Sequence, residues 1–211
     1  MENLNFSAAP HICSRNSTKN IMLDVLIALL PATIASIVIF GLKAVWIILA
    51  CVISAVLSEF LFNLCVKKKQ TICDLSAVVT GLILALNLST KVAIWQCVIG
   101  SVFAVIVVKC LFGGLGKNIV NPAIGARVFL LLTFASVAGG GQPVNPDIVT
   151  SATPLAFLNT GVGAEGTPTL LQLLIGNHGG TIGETCVIAL LLGYVYLVVR
   201  KVIKWYVPFA F

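Results

Sequence analysis

Long apolar stretches with almost no charge follow one another along most of this 211-residue chain. Only 9% of the residues are charged, whereas 59% are hydrophobic, and the mean hydropathy is +1.08. A soluble domain carries about 25% charged residues, so this chain has too few polar groups to cover a surface in water. The pattern predicts an all-α polytopic membrane protein, a helical bundle of about six spans.

The apolar runs and the charges between them divide the chain into four regions. We predict a leader at 1–20, five spans within 21–138, a long polar interval at 139–182, and a sixth span with its basic end at 183–211. The predicted spans are 21–40, 44–66, 73–88, 92–112, 123–138 and 185–202. The third is short for about 30 Å of hydrocarbon. Its acid at Asp74 and its glycine at Gly81 predict a broken or re-entrant helix that lines a cavity.

Ionisable residues within or beside the spans are the candidates for an ion path. They are Glu59, Asp74 and Glu184, since a charge inside a membrane is costly and is usually functional. Two alternatives stay open: Glu59 lies near a span end and could reach the interface, and Asp74 could simply be an acid at a helix start. Arg127, in the fifth span, should reach headgroups or face an acidic or phosphate partner.

The remaining composition argues against two other classes of protein. The seven cysteines are spread along the chain without CxxC spacing, which argues against a disulfide framework and favours small apolar residues in a bilayer. The net charge of +6 does not indicate nucleic-acid binding, because the basic residues stand at the ends of apolar runs. The run at Gly113–Asn118 matches neither nucleotide-binding fingerprint, so we interpret it first as a tight turn.

The lysines and arginines predict the orientation of the chain. The leader, the lysine run 67–69, the loop with Lys117 and the tail carry most of them, whereas the opposite side has only Lys43 and Lys91. The positive-inside rule therefore places the leader and tail in the cytoplasm and the interval 139–182 on the extracytoplasmic side. The expected location is the cell inner or plasma membrane.

The long interval contains a threonine motif, Asp147-Ile148-Val149-Thr150-Ser151-Ala152-Thr153. Taken alone it is a turn, with Pro154 biasing Thr153 away from helix. It also resembles the flavinylation signature of membrane redox subunits, which is an acid, two variable residues, Ser or Thr, a small residue, Ala and Thr. The resemblance implies FMN on Thr153 through a phosphoester bond. It also implies that Asp147, Thr150, Ser151 and Ala152 shape the motif for a separate flavin transferase.

Several other stretches resemble one family, formed by the D subunit of the Rnf complex and the related B subunit of the sodium-pumping NADH:quinone oxidoreductase. They are Pro10-His11, Ala28–Ala32, Asp74–Gly81, Phe112–Asn118 with Asn121–Ala123, and Gly183–Thr185. The family implies a urea-transporter-like bundle of two related helical halves. Its members are longer, so we expect this chain to be a truncated form. Leu75 stands where the family often has glycine.

The family also implies a function. The chain would be a membrane subunit of an ion-translocating electron transport complex, not a stand-alone enzyme, and its FMN would relay electrons between ferredoxin and NAD while ions cross. Other Rnf membrane subunits and the bilayer would be its partners, and riboflavin is the candidate for a second, non-covalent flavin. His178 and Glu184 are candidate neighbours of the isoalloxazine ring.

Two alternative functions follow from the residues themselves. A non-redox channel or transporter of the same fold would use Asp74 and Glu184 to line a pathway and would bind no flavin. A hydrolase with Thr153 as nucleophile would need a base, and no His/Asp set surrounds Thr153 in the sequence.

Overall fold

The computed structural model describes residues 17–67, 70–134, 170–176 and 180–206. These residues form helices joined by turns, which confirms the all-α prediction. The helices are α1 (Thr18–Phe40), α2 (Leu42–Cys65), a 3₁₀-helix (Ile72–Asp74), α3 (Ser76–Leu86), α4 (Ile94–Cys110), α5 (Pro122–Thr133), α6 (Leu170–Ile175) and α7 (Val187–Val199). The last eight residues of α4, Phe103–Cys110, form a π-helix.

Two helices, α1 and α2, are long and apolar enough to cross a membrane. They contain 23 and 24 residues with a mean hydropathy of 2.4, which corresponds to a length of about 35 Å. The other apolar helices, α3, α4, α5 and α7, contain 10–17 residues. Large apolar side chains cover the outside of the bundle, among them Val38, Leu42 and Leu132, each at least 76% exposed. Such a surface suits hydrocarbon and not water.

The ends of two helices follow directly from local sequence. Ser17 begins α1 by accepting a hydrogen bond from the backbone N–H of Asn20 at 3.3 Å. Asn121 begins α5 by accepting one from Ala123 at 3.1 Å, with Pro122 in the first turn. Both are standard N-terminal caps, and proline there lacks only an N–H that would have no helical partner.

The third predicted span is broken, as its length and polar start suggested. The 3₁₀-helix ends at Asp74, Leu75 adopts a left-handed conformation with φ 59° and ψ 4°, and α3 begins at Ser76. The eleven residues of α3 span about 16 Å, which is roughly half of the hydrocarbon thickness. This short helix contacts α1, α2, α4 and α5, so it lies at the centre of the bundle.

Close approach of α3 to α2 depends on Gly81. A Cβ atom at this position would lie 2.8 Å from the carbonyl oxygen of Cys51 and 2.9 Å from the Cα of Val52. Next to it, Leu84 and Ala85 are fully buried. The bundle therefore has no room for a side chain where these two helices cross.

The segment just before α7 is hydrogen-bonded to the backbone at the C-terminal end of α3. The backbone N–H groups of Ile182 and Gly183 donate to the carbonyls of Leu88 and Leu86 at 2.9 and 2.7 Å. Helix α7 then packs on α1, where a Cβ on Gly193 would meet the carbonyl of Ala28. The start of α7 thus lies beside the end of α3, and the two helices begin at opposite ends of the bundle.

Replacing Gly81 by alanine should destabilise the protein by about 1–3 kcal/mol, because the added methyl group meets rigid backbone of α2. Gly125→Ala is the matched control. Its Cβ would make ordinary contacts of 3.5 Å with Val108, and alanine favours helix by up to about 1 kcal/mol over glycine. Thermal unfolding of both variants in detergent measures the difference. Equal stability of the two variants would show that the helices do not cross this closely.

Replacing Leu75 by glycine should make the protein more stable than replacing it by alanine. A left-handed conformation costs an L-residue about 1–2 kcal/mol, and both variants lose the same leucine side chain while only glycine escapes that cost. Unfolding midpoints of the two variants, measured side by side, give the result. Alanine equal to or better than glycine would contradict the left-handed turn.

Candidate functional site

The centre of the candidate site is an ion pair between α2 and α4. The Nζ atom of Lys109 lies 2.9 Å from Oε1 of Glu59, and both side chains are 2% exposed. Burial of an ion costs several kcal/mol even after relaxation. The attraction between Glu59 and Lys109 offsets part of that cost for each of them. The carboxylate of Glu59 therefore faces other helices and not the headgroups.

Neutral side chains extend this pair into a hydrogen-bonded network. Thr71 donates its hydroxyl to Oε1 of Glu59 at 2.7 Å, and Asn63 donates to the Thr71 hydroxyl at 3.0 Å. Lys109 also donates to Oγ of Ser76 at 2.7 Å. The second carboxylate oxygen, Oε2 of Glu59, is buried without a hydrogen-bond partner among the described residues. A buried acceptor of this kind is costly, and it calls for a ligand or water to satisfy it.

The backbone of α4 changes geometry where it carries Lys109. In the π-helical segment the N–H of Leu111 donates to the carbonyl of Ile106 at 3.0 Å, five residues back. Segments of this kind occur often at functional sites. Here the segment ends with Lys109 and Cys110, and both residues line a cavity beside the ion pair.

That cavity has a volume of about 250 Å³. Its lining residues are Glu59, Phe62, Asn63, Thr71, Asp74, Ser76, Lys109, Cys110, Gly113, Gly114 and Leu115. Asp74 is half-buried, and its carboxylate makes no hydrogen bond or ion pair with the described residues. Among the described residues, two carboxylates and one ammonium line this space, which gives their sum a formal charge of −1. We call it the Glu59 cavity.

Two further cavities continue from the Glu59 cavity along α3. One of about 320 Å³ shares Ser76 and Lys109 with it and also contains Thr80 and Asn118. Oδ1 of Asn118 is buried without a hydrogen-bond partner in the described part of the chain. We call this space the Asn118 cavity.

The other cavity, of about 350 Å³, shares Ile83 with the Asn118 cavity and lies at the far end of α3. It is lined by Asn87, Arg127 and Glu184 among others. Nη1 of Arg127 donates to Oδ1 of Asn87 at 2.8 Å, and Glu184 accepts from the Thr181 hydroxyl at 2.9 Å. The partner found for Arg127 is thus a neutral amide, although an acid lines the same cavity.

The glycine loop after α4 is a turn, as the sequence suggested. Gly113, Gly114 and Gly116 have φ of 107°, 92° and 84°, values that glycine adopts without strain. The N–H of Gly114 donates to the carbonyl of Lys109 at 3.0 Å and that of Gly113 to the carbonyl of Cys110 at 3.2 Å. These amides therefore satisfy the end of α4 and do not face a ligand.

A second ion pair joins α1 to the end of α7. Arg200 Nε lies 3.1 Å from Asp24 Oδ1, and the Tyr196 hydroxyl donates to the same oxygen at 3.1 Å. Asp24 is buried, whereas Arg200 is more than half exposed. The carboxylate of Asp24 therefore ties the last described helix to the first.

The structure brings some of the predicted site residues together and separates others. Glu59 and Asp74 line one cavity, whereas Glu184 lies at the opposite end of α3. The motif residues Asp147, Thr150, Ser151, Ala152 and Thr153 lie outside the described residues, and so does His178.

Lys109 is the functional candidate that the sequence analysis missed. It stands near the end of the fourth apolar run, where a lysine is easily taken for one that reaches the headgroups. The signal was present, because a lysine among apolar residues suggests an acidic partner on another helix, and Glu59 is such a partner.

The fold and this site define an all-helical membrane protein with paired and unpaired ionisable groups inside its bundle. The NQR2, RnfD, RnfE family matches residues 5–211, and the chain belongs to that family.

Individual relatives agree with the family match. The D subunit of the Na(+)-translocating ferredoxin:NAD(+) oxidoreductase complex of Acetobacterium woodii is 44% identical over 209 residues, which cover 98% of this chain and 65% of the relative. The D subunit of the proton-translocating complex of Clostridium ljungdahlii is 34% identical over 220 residues, covering 96% and 64%. The D subunit of the ion-translocating oxidoreductase complex of Methanosarcina acetivorans is 31% identical over 211 residues, covering 100% and 66%. The chain therefore spans about two thirds of the length of these relatives.

Replacing Lys109 by methionine should cost about 3–5 kcal/mol of stability in sodium-free choline chloride, because Glu59 is then buried without a counter-charge. The double variant Lys109→Met/Glu59→Gln removes both charges and should recover most of the loss. Lys117→Met, at an exposed lysine of the neighbouring loop, should change stability by less than about 0.5 kcal/mol. Thermal unfolding in detergent compares the three variants. A double variant as unstable as the single one would contradict the pairing.

Proposed function

We propose that this chain is a membrane subunit of an ion-translocating electron transport complex and carries FMN covalently on Thr153. The observation that supports it best is the family match over residues 5–211, a range that includes the motif Asp147–Thr153. The relatives from Acetobacterium woodii and Clostridium ljungdahlii are D subunits of complexes that move sodium ions or protons and act on ferredoxin and NAD. By analogy, this chain relays electrons between those carriers as one part of such a complex, with other membrane subunits as partners.

The proposed anchor is the hydroxyl of Thr153, joined to the phosphate of FMN by a separate flavin transferase. In this proposal Asp147, Thr150, Ser151 and Ala152 present the threonine to that enzyme. When bound, FMN supplies the electron chemistry, while the protein supplies position and electrostatics. A tethered carrier cannot diffuse away, so its distance to neighbouring carriers is held within a narrow range.

The Asn118 cavity is the proposed position of a second, non-covalent flavin, riboflavin. Its volume of about 320 Å³ lies within the range of small-molecule sites. The unpartnered Oδ1 of Asn118 can accept a hydrogen bond, and Thr80 and Ser76 add polar groups to an otherwise apolar lining. Such a space, with a few convergent polar groups, suits an aromatic ring system that carries donors and acceptors on one edge.

The two cavities at the ends of α3, which contain the candidate carboxylates, support the two ends of an ion route through the bundle. Glu59 and Asp74 stand at the start of α3, and Glu184 stands near its end. Because α3 is only about 16 Å long, the polar ends of the route come closer together than the two faces of the bilayer. In this proposal the carboxylates attract cations to both ends of a short apolar barrier around α3. Discontinuous helices of transporters also form ion sites within the membrane.

The orientation proposed for the chain places the Glu59 cavity on the cytoplasmic side. Lys67 follows two residues after α2, Arg200 directly follows α7, and Lys117 lies beside Gly113 next to the Glu59 cavity. The positive-inside rule favours this side for the cytoplasm. It leaves the interval that contains Thr153 on the extracytoplasmic face of the inner membrane.

A non-redox channel or transporter of the same fold is the competing function. It would use the same cavities and carboxylates, but it would bind no flavin and show no visible absorption. A spectrum of the purified protein, produced together with a competent flavin transferase, distinguishes the two functions.

Replacing Thr153 by alanine should abolish the covalent flavin, because the phosphoester needs the threonine oxygen. Mass spectrometry of the peptide that contains Pro143–Leu155 should show the mass of FMN less one water in the natural chain, and no increment in the variant. Thr160→Ala, a threonine of the same interval outside the motif, is the matched control and should keep the increment. Flavin fluorescence that survives denaturing electrophoresis in Thr153→Ala would place the attachment elsewhere.

A further inference from the structure

The charges of the Glu59 cavity suggest how Lys109 takes part in ion movement, an inference that rests on the proposed function. Glu59 and Asp74 contribute two negative charges to the lining, whereas Lys109 contributes one positive charge. Counted over the described residues, the lining of this space of about 250 Å³ has a net charge of −1, and one monovalent cation would neutralise it. The lining oxygens of Asn63, Thr71 and Ser76 are hard ligands of the type that alkali and other hard cations prefer.

The ammonium of Lys109 already occupies a cation position. It contacts a carboxylate oxygen at 2.9 Å and a hydroxyl oxygen at 2.7 Å, as a bound ion would. Only one oxygen of Glu59 is used, since Oε1 accepts from both Lys109 and Thr71 while Oε2 has no partner among the described residues. The carboxylate thus retains an oxygen for a second positive charge.

Asp74 offers the ammonium an alternative partner. Its carboxylate lines the same cavity and makes no ion pair within the described chain. The side chain of lysine is long and flexible, with three rotatable donors. Lys109 thus shares one cavity with two carboxylates but pairs with only one of them, so the other is a second possible partner for its ammonium.

The geometry points to Lys109 as a tethered competitor of the transported ion. In the resting arrangement its ammonium fills the position at Glu59. An entering monovalent cation binds to Glu59, with Thr71, Asn63 and Ser76 as neutral ligands, and the ammonium moves toward Asp74. No bond is made or broken in this exchange, and the cavity changes from one net negative charge to neutral. When the cation leaves, the ammonium returns and keeps Glu59 from remaining charged and alone in the bundle.

Removing the competitor should strengthen cation binding. If the ammonium occupies the position at Glu59 most of the time, only a small fraction of the protein molecules can bind a cation there. The apparent affinity for the cation is then reduced by that fraction. Lys109→Met keeps most of the apolar stem but removes the charge, so its apparent affinity for Na⁺ should rise by about tenfold or more. Asp74→Asn should weaken binding, because it removes the net negative charge and the second position of the lysine.

The test is a sodium titration of the full protein purified in detergent, at constant pH, with choline chloride replacing sodium chloride to hold the ionic strength. The melting temperature should rise with Na⁺, since a ligand that binds only the folded state stabilises it. The midpoint should fall about tenfold or more in Lys109→Met, whose loss of stability in choline should be largely restored by sodium. Lys109→Arg, which keeps the charge, should show no such gain.

The double variant Lys109→Met/Glu59→Gln controls for folding and for general salt effects. It lacks both the buried carboxylate that would bind the cation and the lysine that would compete for it, so it should melt at the same temperature in sodium and in choline. A sodium response of equal size in the double variant would overturn the proposal. A Lys109→Met variant whose melting temperature does not change with sodium would also overturn it. The same holds if Lys109→Met stays unfolded in high sodium while the double variant folds.

The sodium titration and the test for flavin on Thr153 can fail independently of each other. A sodium response of Lys109→Met in a protein without flavin on Thr153 would retain the lysine exchange and reject the redox role. Flavin on Thr153 with no sodium response in any variant would retain the redox role and reject the lysine exchange. A protein that responds only to protons would fail the sodium titration and would reject the exchange with a metal cation.

Discussion

The structure depends on the high cost of placing charge inside an apolar bundle. Several kcal/mol are lost for each buried ion that has no partner, and this chain has few polar residues with which to provide one. Glu59 and Lys109 meet this constraint together, and Thr71, Asn63 and Ser76 add the hydrogen bonds that the pair needs. Four separate elements, α2, α3, α4 and the turn before α3, thereby become fixed around one point.

The short helix α3 gives that fixed point its place in the proposed ion route. Because α3 begins at Ser76 after a left-handed residue, its start lies inside the bundle and the polar side chains before it face a cavity. Its far end is held by backbone hydrogen bonds to Ile182 and Gly183, next to Glu184. A full-length span would have put both ends at the membrane surface. The broken helix leaves a thinner apolar barrier instead, and the proposed ion route follows from that shortening.

Helix contacts in this bundle depend on small residues as much as on large ones. Gly81 lets α3 approach α2, and Gly193 lets α7 approach α1 at Ala28. In hydrocarbon, large apolar side chains gain little from burial, because lipid solvates them equally well. Close backbone packing at small residues then supplies much of the attraction. The large exposed side chains, such as Leu132 and Val38, serve as the surface toward lipid.

The sequence by itself determined the class of the protein, most of its helices, the break before α3 and the motif at Thr153. These features are local: hydropathy and length define a span, and proline, glycine and capping residues mark where helices start and stop. It also picked out Glu59 and Asp74, since an acid within an apolar run is conspicuous. Only the tertiary structure decided that Lys109 is the partner of Glu59, that Arg200 reaches back to Asp24, and that Glu184 stands apart from the other two acids. Those pairings join residues 50 and 176 positions apart, and one-dimensional periodicity carries no information on which helix faces which.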